Sequence, residues 1–299
     1  MSAKVWKLGI IGWPLGYSLS PLMHTAALEA AGLQGEYREY PVAPESLWEW
    51  LSRVNDLGLD GFNVTMPYKK SVFSWVVGEG RGKLGRLEEM SGVVGAINTV
   101  VVREQHPVGY NTDGESFLQV LTEPTRSMDL SGWHVVLLGA GGAARTIAVA
   151  LALKTHVEQL TIWNRHAEAA TLLSVLLKAL KQKSRTRIEA RAEQNLEALP
   201  LKDCQMLINA TPAGMKGHED LRLDYGQIHA GQIIYDIVYE PRETRLIQEA
   251  RKRGCMVITG EEMLAAQGAE AFEIWTGVPA EKVLPAMKKA LDGHFAAGR

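Results

Sequence analysis

The stretch His134-Val135-Val136-Leu137-Leu138-Gly139-Ala140-Gly141-Gly142-Ala143-Ala144-Arg145 joins a short apolar run with β-branched residues to a cluster of glycines. Beyond it, Ala143 to Lys154 is rich in alanine and leucine and contains no proline. This pattern predicts strand, tight turn and helix. Gly139, Gly141 and Ala144 fit the spacing G-x-G-x-x-G/A: the first glycine makes the turn, the second lets backbone approach a pyrophosphate, and the small third residue lets the helix pack closely. The unpaired N–H groups of the helix start then face the anion. A purely structural turn would share the glycines, but a strand before it and a helix after it favour a dinucleotide site.

C-terminal to this turn the alternation continues. A strand over Leu160 to Trp163 ends at Asn164-Arg165-His166. A site for NAD usually carries an acid there for the ribose hydroxyl, whereas an arginine accommodates the 2′-phosphate of NADP, so Arg165 points to NADP. Then follow a helix over Ala167 to Leu180, a strand over Arg187 to Arg191, a short helix near Asn195 to Leu199 and a strand over Met206 to Asn209. Ala210 to Met215, with Thr211, forms a strand-end loop on the side expected for a nicotinamide. A strand over Ile233 to Val238, a helix over Thr244 to Arg253 and a strand over Met256 to Thr259 complete the series. Such repetition implies a parallel sheet with right-handed crossovers.

N-terminal to the turn, a strand over Val5 to Ile11 leads into Gly12-Trp13-Pro14-Leu15-Gly16-Tyr17-Ser18-Leu19-Ser20-Pro21. Pro21 suits the first helical position and Ser20 the N-cap, so Ser18 and Ser20 lie where hydroxyls and free N–H groups can receive a carboxylate. Serine at position 20, where G-x-S-x-G needs glycine, excludes a nucleophile elbow. A strand over Glu36 to Val42, a helix over Pro44 to Leu57 and a strand over Gly61 to Val64 follow. Lys69, in Asn63-Val64-Thr65-Met66-Pro67-Tyr68-Lys69-Lys70, stands just past that strand, where α/β proteins place their sites. A lysine in a dry setting can serve as general acid or base, and its ammonium polarises a carbonyl. Asp113, in Gly109-Tyr110-Asn111-Thr112-Asp113-Gly114, is either a helix N-cap or the carboxylate that orients Lys69. Gly95 to Thr99 enters a strand over Val100 to Val102, a helix covers Phe117 to Leu121, and Thr122 to Ser131 reads as a linker. Gly260-Glu261-Glu262-Met263-Leu264 opens a helix carrying Gln267, and Val278-Pro279-Ala280 starts the last one.

Bulk properties exclude several classes. The 299 residues suffice for about two domains, and 46% hydrophobic with 22% charged residues is ordinary for a globular protein with real cores. A net charge of −2 leaves no electrostatic footprint for nucleic acid or an anionic membrane. The basic stretch Lys178 to Arg187 reads as a solvated helix end. Cys204 and Cys255 form neither a disulfide framework nor a zinc motif, and no apolar leader or bilayer-length run is present, so a cytoplasmic location is expected.

Taken in order, Ser18 to Pro21, Asn63 to Lys69, Gly95 to Thr99, Asn111 to Asp113, Gly139 to Arg145, Asn164-Arg165, Asn209 to Pro212, Asp236 to Pro241 and Gly260 to Gln267 resemble the shikimate dehydrogenase family, which includes quinate dehydrogenases, over nearly the whole chain. The resemblance implies reversible NADPH-dependent reduction of 3-dehydroshikimate to shikimate, a step toward chorismate and the aromatic amino acids, without a metal. It implies an N-terminal α/β substrate domain of residues 1–113 with 261–299, a Rossmann-type NADP domain of residues 114–260, and a cleft between them. Lys69 and Asp113 become the catalytic pair. Ser18 and Ser20 would hold the substrate carboxylate; Thr65, Asn98, Asp113 and Gln267 would take its hydroxyls, with Lys69 and Tyr239 nearby. Gly139, Ala140, Gly141, Gly142, Ala143, Asn164, Arg165, His166, Thr211, Ile237 and Gly260 would line the cofactor. A monomer or homodimer is expected.

Three positions depart from the family pattern: His166 replaces a common threonine, Ser116 a glycine and Thr25 an asparagine. His166 keeps open an NAD-using quinate or dual quinate/shikimate dehydrogenase. A non-catalytic NADP-binding sensor is the alternative of another class, and the co-occurrence of Lys69 and Asp113 argues against it. A folate-linked dehydrogenase fits less well, because paired serines and many hydroxyl-matching groups suit a small polyhydroxy acid.

Overall fold

A computed structural model describes residues 4–16, 18–78, 85–103, 106–125, 129–180, 186–191 and 196–297. Tyr17 of the serine loop, residues 126–128 of the expected linker, residues 181–185 of the basic stretch and Asn195 lie outside the described residues. The chain forms two compact units, Met1–Ser116 with Ala265–Arg299, and Phe117–Leu264.

In the first unit β1 (Val5–Gly12), α1 (Ser20–Ala30), β2 (Gln34–Pro41), α2 (Leu47–Ser52), β3 (Gly61–Val64), α3 (Lys69–Val76), β4 (Arg86–Leu87), α4 (Glu89–Val94), β5 (Thr99–Val101) and β6 (Val108–Tyr110) precede α5 (Asp113–Thr125), whose first turn belongs to this unit. The sheet runs β2-β1-β3-β5-β6-β4, parallel on either side of β1 and antiparallel from β3 through β6. One face buries Ile11, Phe62, Val64, Tyr68, Val72 and Trp75; another cluster joins Leu8, Ile10 and Tyr37 to Ala271 and Trp275 of a C-terminal helix. Burial of this kind is worth about 1.5–3 kcal/mol per large apolar side chain.

The second unit contains β7 (His134–Leu138), α6 (Gly142–Lys154), β8 (Gln159–Trp163), α7 (Ala167–Ala179), β9 (Arg187–Arg191), β10 (Met206–Asn209), β11 (Ile233–Asp236), α8 (Arg245–Lys252) and β12 (Met256–Ile258). All its strand pairs are parallel, in the order β12-β11-β10-β7-β8-β9. The chain reverses its direction of travel across the sheet between β7 and β10, which creates the switch point at which such sheets bind ligands beyond their strand ends. This is a Rossmann-type arrangement in an α/β protein. The chain then passes through α9 (Gly260–Thr276) back to the first unit, which α10 (Ala280–Ala297) completes by packing on α1.

Local boundaries differ from the sequence expectation at several points. The expected helix over Pro44 to Leu57 is a 3-10 turn followed by the short α2, because the chain turns at 53–58, where Gly58 has a positive φ of 64°. Ser20 is the first residue of α1 rather than its N-cap; Leu19 holds the cap position, with no side-chain cap bond. Helix α5 starts at Asp113 and extends to Thr125, absorbing the first residues of the expected linker. No helix of the described residues is long and apolar enough to cross a membrane.

Candidate active site

Lys69 opens α3 and Asp113 opens α5, and these helix starts bring Lys69 Nζ to 2.6 Å from Asp113 Oδ2. The Asp113 side chain is buried at 3% exposure while the Lys69 side chain retains 18%, so Lys69 keeps an accessible face. Asp113 is anchored on its other oxygen: Asn98 Nδ2 donates to Asp113 Oδ1 at 2.9 Å, and also lies 2.9 Å from Thr112 Oγ1 and 3.2 Å from Gln267 Oε1. Asn98 Oδ1 accepts from the Thr112 N–H and the Thr99 hydroxyl. Asn98 therefore has its whole amide committed to its neighbours and orients Asp113 and Gln267 together.

A second polar chain runs beneath the serine loop. Tyr37 Oη donates to Asn63 Oδ1 at 2.7 Å, and Asn63 Nδ2 donates to Thr99 Oγ1 and the Asn98 carbonyl. Burial pushes the Tyr37 phenol well above its usual range, with the Ser20 side chain opposing the shift. Ser18 Oγ accepts from the Ser20 N–H at 3.3 Å. Tyr37 is thus connected to Asp113 through Asn63, Thr99 and Asn98. Beside this chain His24 stacks on Tyr37, 4.3 Å between ring centroids, and its burial lowers its pKa from 6.5 to about 3. Thr65, on the β3–α3 connection, is seated by Gly12: a Cβ there would collide with Thr65 Cγ2 and come within 3.0 Å of the Met66 carbonyl.

The expected substrate group Ser18, Ser20, Thr65, Lys69, Asn98, Asp113 and Gln267 falls within the first unit. Within the described residues the Thr65 hydroxyl and Gln267 Nε2 make no hydrogen bond, and Lys69 Nζ bonds Asp113 alone, which leaves donors for a ligand. Tyr239 belongs instead to the second unit, half-buried beyond β11.

The expected cofactor residues gather at the C-terminal ends of the parallel strands in the second unit. Gly139 has φ 115°, and a Cβ there would sit 2.8 Å from the Ala210 carbonyl, so glycine is required. Gly141 precedes α6 with open space where a Cβ would point and no side-chain cap on the helix, while Ala144 is fully buried. Close backbone approach, unclaimed N–H groups and tight helix packing fit a pyrophosphate at Gly139 to Ala143. Arg165 and His166 are exposed at the end of β8, and Asn164 Nδ2 donates to the His166 carbonyl. Gly260 approaches Ile237 so closely that a Cβ would strike its carbonyl. Asn209 bonds Asp236, Ala213 and Thr211, and Thr244 Oγ1 donates to Asp236 Oδ2 at 2.7 Å; these bonds fix the loop carrying Thr211. Desolvation raises the Asp236 carboxyl to about 6 despite three hydrogen bonds that oppose the shift.

Sequence reasoning named Asn63 without a partner and missed Tyr37, Thr99 and Thr112. A polar residue alternating with apolar ones in a predicted buried strand, as Asn63 does, is the available signal; its partners lie too far along the chain to be read.

Residues 10–100 match the family model of the shikimate dehydrogenase substrate-binding domain, and residues 260–291 match that of the shikimate 5′-dehydrogenase C-terminal domain. The chain is 38% identical over 291 residues to the NADP(+) shikimate dehydrogenase of Symbiobacterium thermophilum, covering 96% of this chain and 95% of the relative. The shikimate 5-dehydrogenase of Thermus thermophilus, solved with NADP(H) and shikimate, superposes with a TM-score of 0.77 at 31% identity, covering 95% of this chain and 99% of that one. A quinate dehydrogenase from Corynebacterium glutamicum in complex with NAD gives a TM-score of 0.81 at 28% identity, covering 95% and 99%. With the buried Lys69–Asp113 pair in one unit and a dinucleotide turn in the other, near full-length identity of this order means that the chain belongs to the shikimate dehydrogenase family.

Proposed function

We propose that this chain is an NADP-dependent shikimate dehydrogenase, interconverting 3-dehydroshikimate and shikimate on the route to chorismate and the aromatic amino acids. The observation that carries the reading is the Lys69 Nζ–Asp113 Oδ2 contact of 2.6 Å, an ammonium oriented by a buried carboxylate. The relative's name and the ligands of the Thermus structure support the choice of substrate and cofactor. The first unit serves as the substrate domain and the second as the cofactor domain.

NADPH, when bound, supplies a hydride to the carbonyl carbon, and NADP+ takes it back in the reverse direction. Lys69 donates its proton to the carbonyl oxygen as negative charge develops there, and in the reverse direction accepts the hydroxyl proton. Asp113 holds the ammonium with one oxygen, while Asn98 holds Asp113 by the other. Ser18 and Ser20 receive the substrate carboxylate at the start of α1. Thr65, Gln267 and Asp113 take ring hydroxyls, and Asn98 shares them through its network. Gly139 to Ala143 would hold the pyrophosphate, Asn164, Arg165 and His166 the 2′-phosphate end, and Thr211, Ile237 and Gly260 the nicotinamide side, with Tyr239 as a substrate-binding residue. Unpaired thiols at Cys204 and Cys255 support a cytoplasmic setting.

The test is nicotinamide absorbance with shikimate and quinate, each offered with NADP+ and with NAD+. Fastest turnover of shikimate with NADP+ is expected. A preference for quinate with NAD+ overturns the reading.

A further inference from the structure

Glu270 lies three residues after Gln267 on α9, and Ser116 three residues after Asp113 on α5, so each pair shares one helix face. These faces are fastened at two levels. Gln267 Oε1 accepts from Asn98 Nδ2, and the Gln267 carbonyl accepts from Thr112 Oγ1 at 3.3 Å. One turn further along, Ser116 Oγ donates to Glu270 Oε2 at 3.1 Å. Ser116 is fully buried, and its N–H donates to the Thr112 carbonyl, so the bond reaches the turn that carries Asp113.

Glu270 has no salt-bridge partner among the described residues. The charged groups that act on it are acids: Asp113 on α5, Glu88 ahead of α4 and Glu273 on α9. Lys69 is the cation bonded to Asp113. Burial raises the Glu270 carboxyl to about 7, with the three acids adding to the rise and the Ser116 hydroxyl opposing it. A carboxyl one helical turn from the Lys69–Asp113 pair thus changes charge in the neutral range. The sequence supplies the donor for it at position 116, where a glycine would leave Glu270 without one.

We infer that Glu270 is a positioning residue for the proposed reaction: through Ser116 and the first turn of α5, its charge state and its hydrogen bond set how Asp113 holds Lys69, and with that the pH range of turnover. The inference rests on the assignment of Lys69 and Asp113 to the chemistry, but the coupling can be measured without turnover. The experiment is an infrared titration of the protonated-carboxyl band of the full chain, identified by its loss in Glu270→Gln. In the wild type the band should titrate near pH 7, and in Asp113→Asn its midpoint should fall by roughly 0.5–1 pH unit, because a neighbouring negative charge has been removed. The same midpoint in both proteins overturns the inference. In parallel, the pH profile of kcat for shikimate oxidation should show an inflection near pH 7 that Glu270→Gln lacks, with KM for shikimate little changed. A uniform loss of kcat with superimposable profiles would mark a merely structural role and also overturn it. Should Glu270→Gln fail to fold, Ser116→Gly gives the second reading: loss of the donor should move the band and the inflection upward, and an unmoved band refutes the role. Absence of shikimate turnover in the wild type refutes the proposed function, whereas the infrared shift in Asp113→Asn decides the coupling on its own.

Discussion

At the scale of single residues, the proposed function separates proton handling from cofactor choice. The Lys69 side chain keeps an accessible face beside a buried carboxylate, and the other oxygen of that carboxylate is held by an asparagine whose amide is fully used. In the proposed function Arg165 has a different task at the end of β8, where its exposed guanidinium would pair with a 2′-phosphate. Replacing Arg165 with alanine is expected to raise KM for NADP+ about tenfold to a hundredfold and leave KM for NAD+ nearly unchanged, since a charge-assisted bond is worth about 1.5–3 kcal/mol. Steady-state kinetics with both cofactors check this; an equal rise for both would remove Arg165 from phosphate recognition.

At the scale of elements, α9 links site geometry to packing. Trp275, near its C-terminal end, donates from Nε1 to the Val100 carbonyl at 2.9 Å over Gly61, where a Cβ would collide with the indole. Gly268 lies against Met23 and Met287, and the helix presents Gln267 to Asn98 and Glu270 to Ser116 in the first turn of α5. Trp275→Phe keeps most of the apolar area and loses the hydrogen bond to the Val100 carbonyl. A loss of about 0.5–1.5 kcal/mol by urea denaturation is expected, together with a raised KM for shikimate as Gln267 loosens. The parallel strands and glycine turn of the second unit were legible in the sequence because β7, β8 and β10 are apolar runs long enough to show their period, followed by Gly139 and Gly141. Lys69, Asp113 and the paired serines were legible because each lies in a local motif. Strands β4 and β6, of two and three residues, and α4, of six, are too short for periodicity to reveal. The bonds joining Tyr37 to Asn63 and Ser116 to Glu270 span 26 and 154 positions, so only folding brings those residues together.

At the scale of the whole molecule, a buried and a half-buried titratable group tilt stability in opposite directions with pH. His24 is neutral in the fold, its pKa lowered from 6.5 to about 3, so its contribution is present above 6.5 and lost as pH falls toward 3. Glu270, raised from 4.5 to about 7, contributes stability below 4.5 that is lost as pH rises through 7. His24→Phe preserves an aromatic ring against Tyr37 and removes the first effect. Its urea midpoint is expected to fall less than that of the wild type between pH 6.5 and pH 4, and identical slopes would show that His24 does not carry the acid sensitivity. The central claim is chemical: Lys69, oriented by Asp113, moves the proton that accompanies hydride exchange. Its most direct test is kcat of Lys69→Ala for shikimate with NADP+, in a protein shown to be folded. A fall of about 10²- to 10⁴-fold, with a much smaller change in KM, is predicted; turnover at the wild-type rate would contradict it.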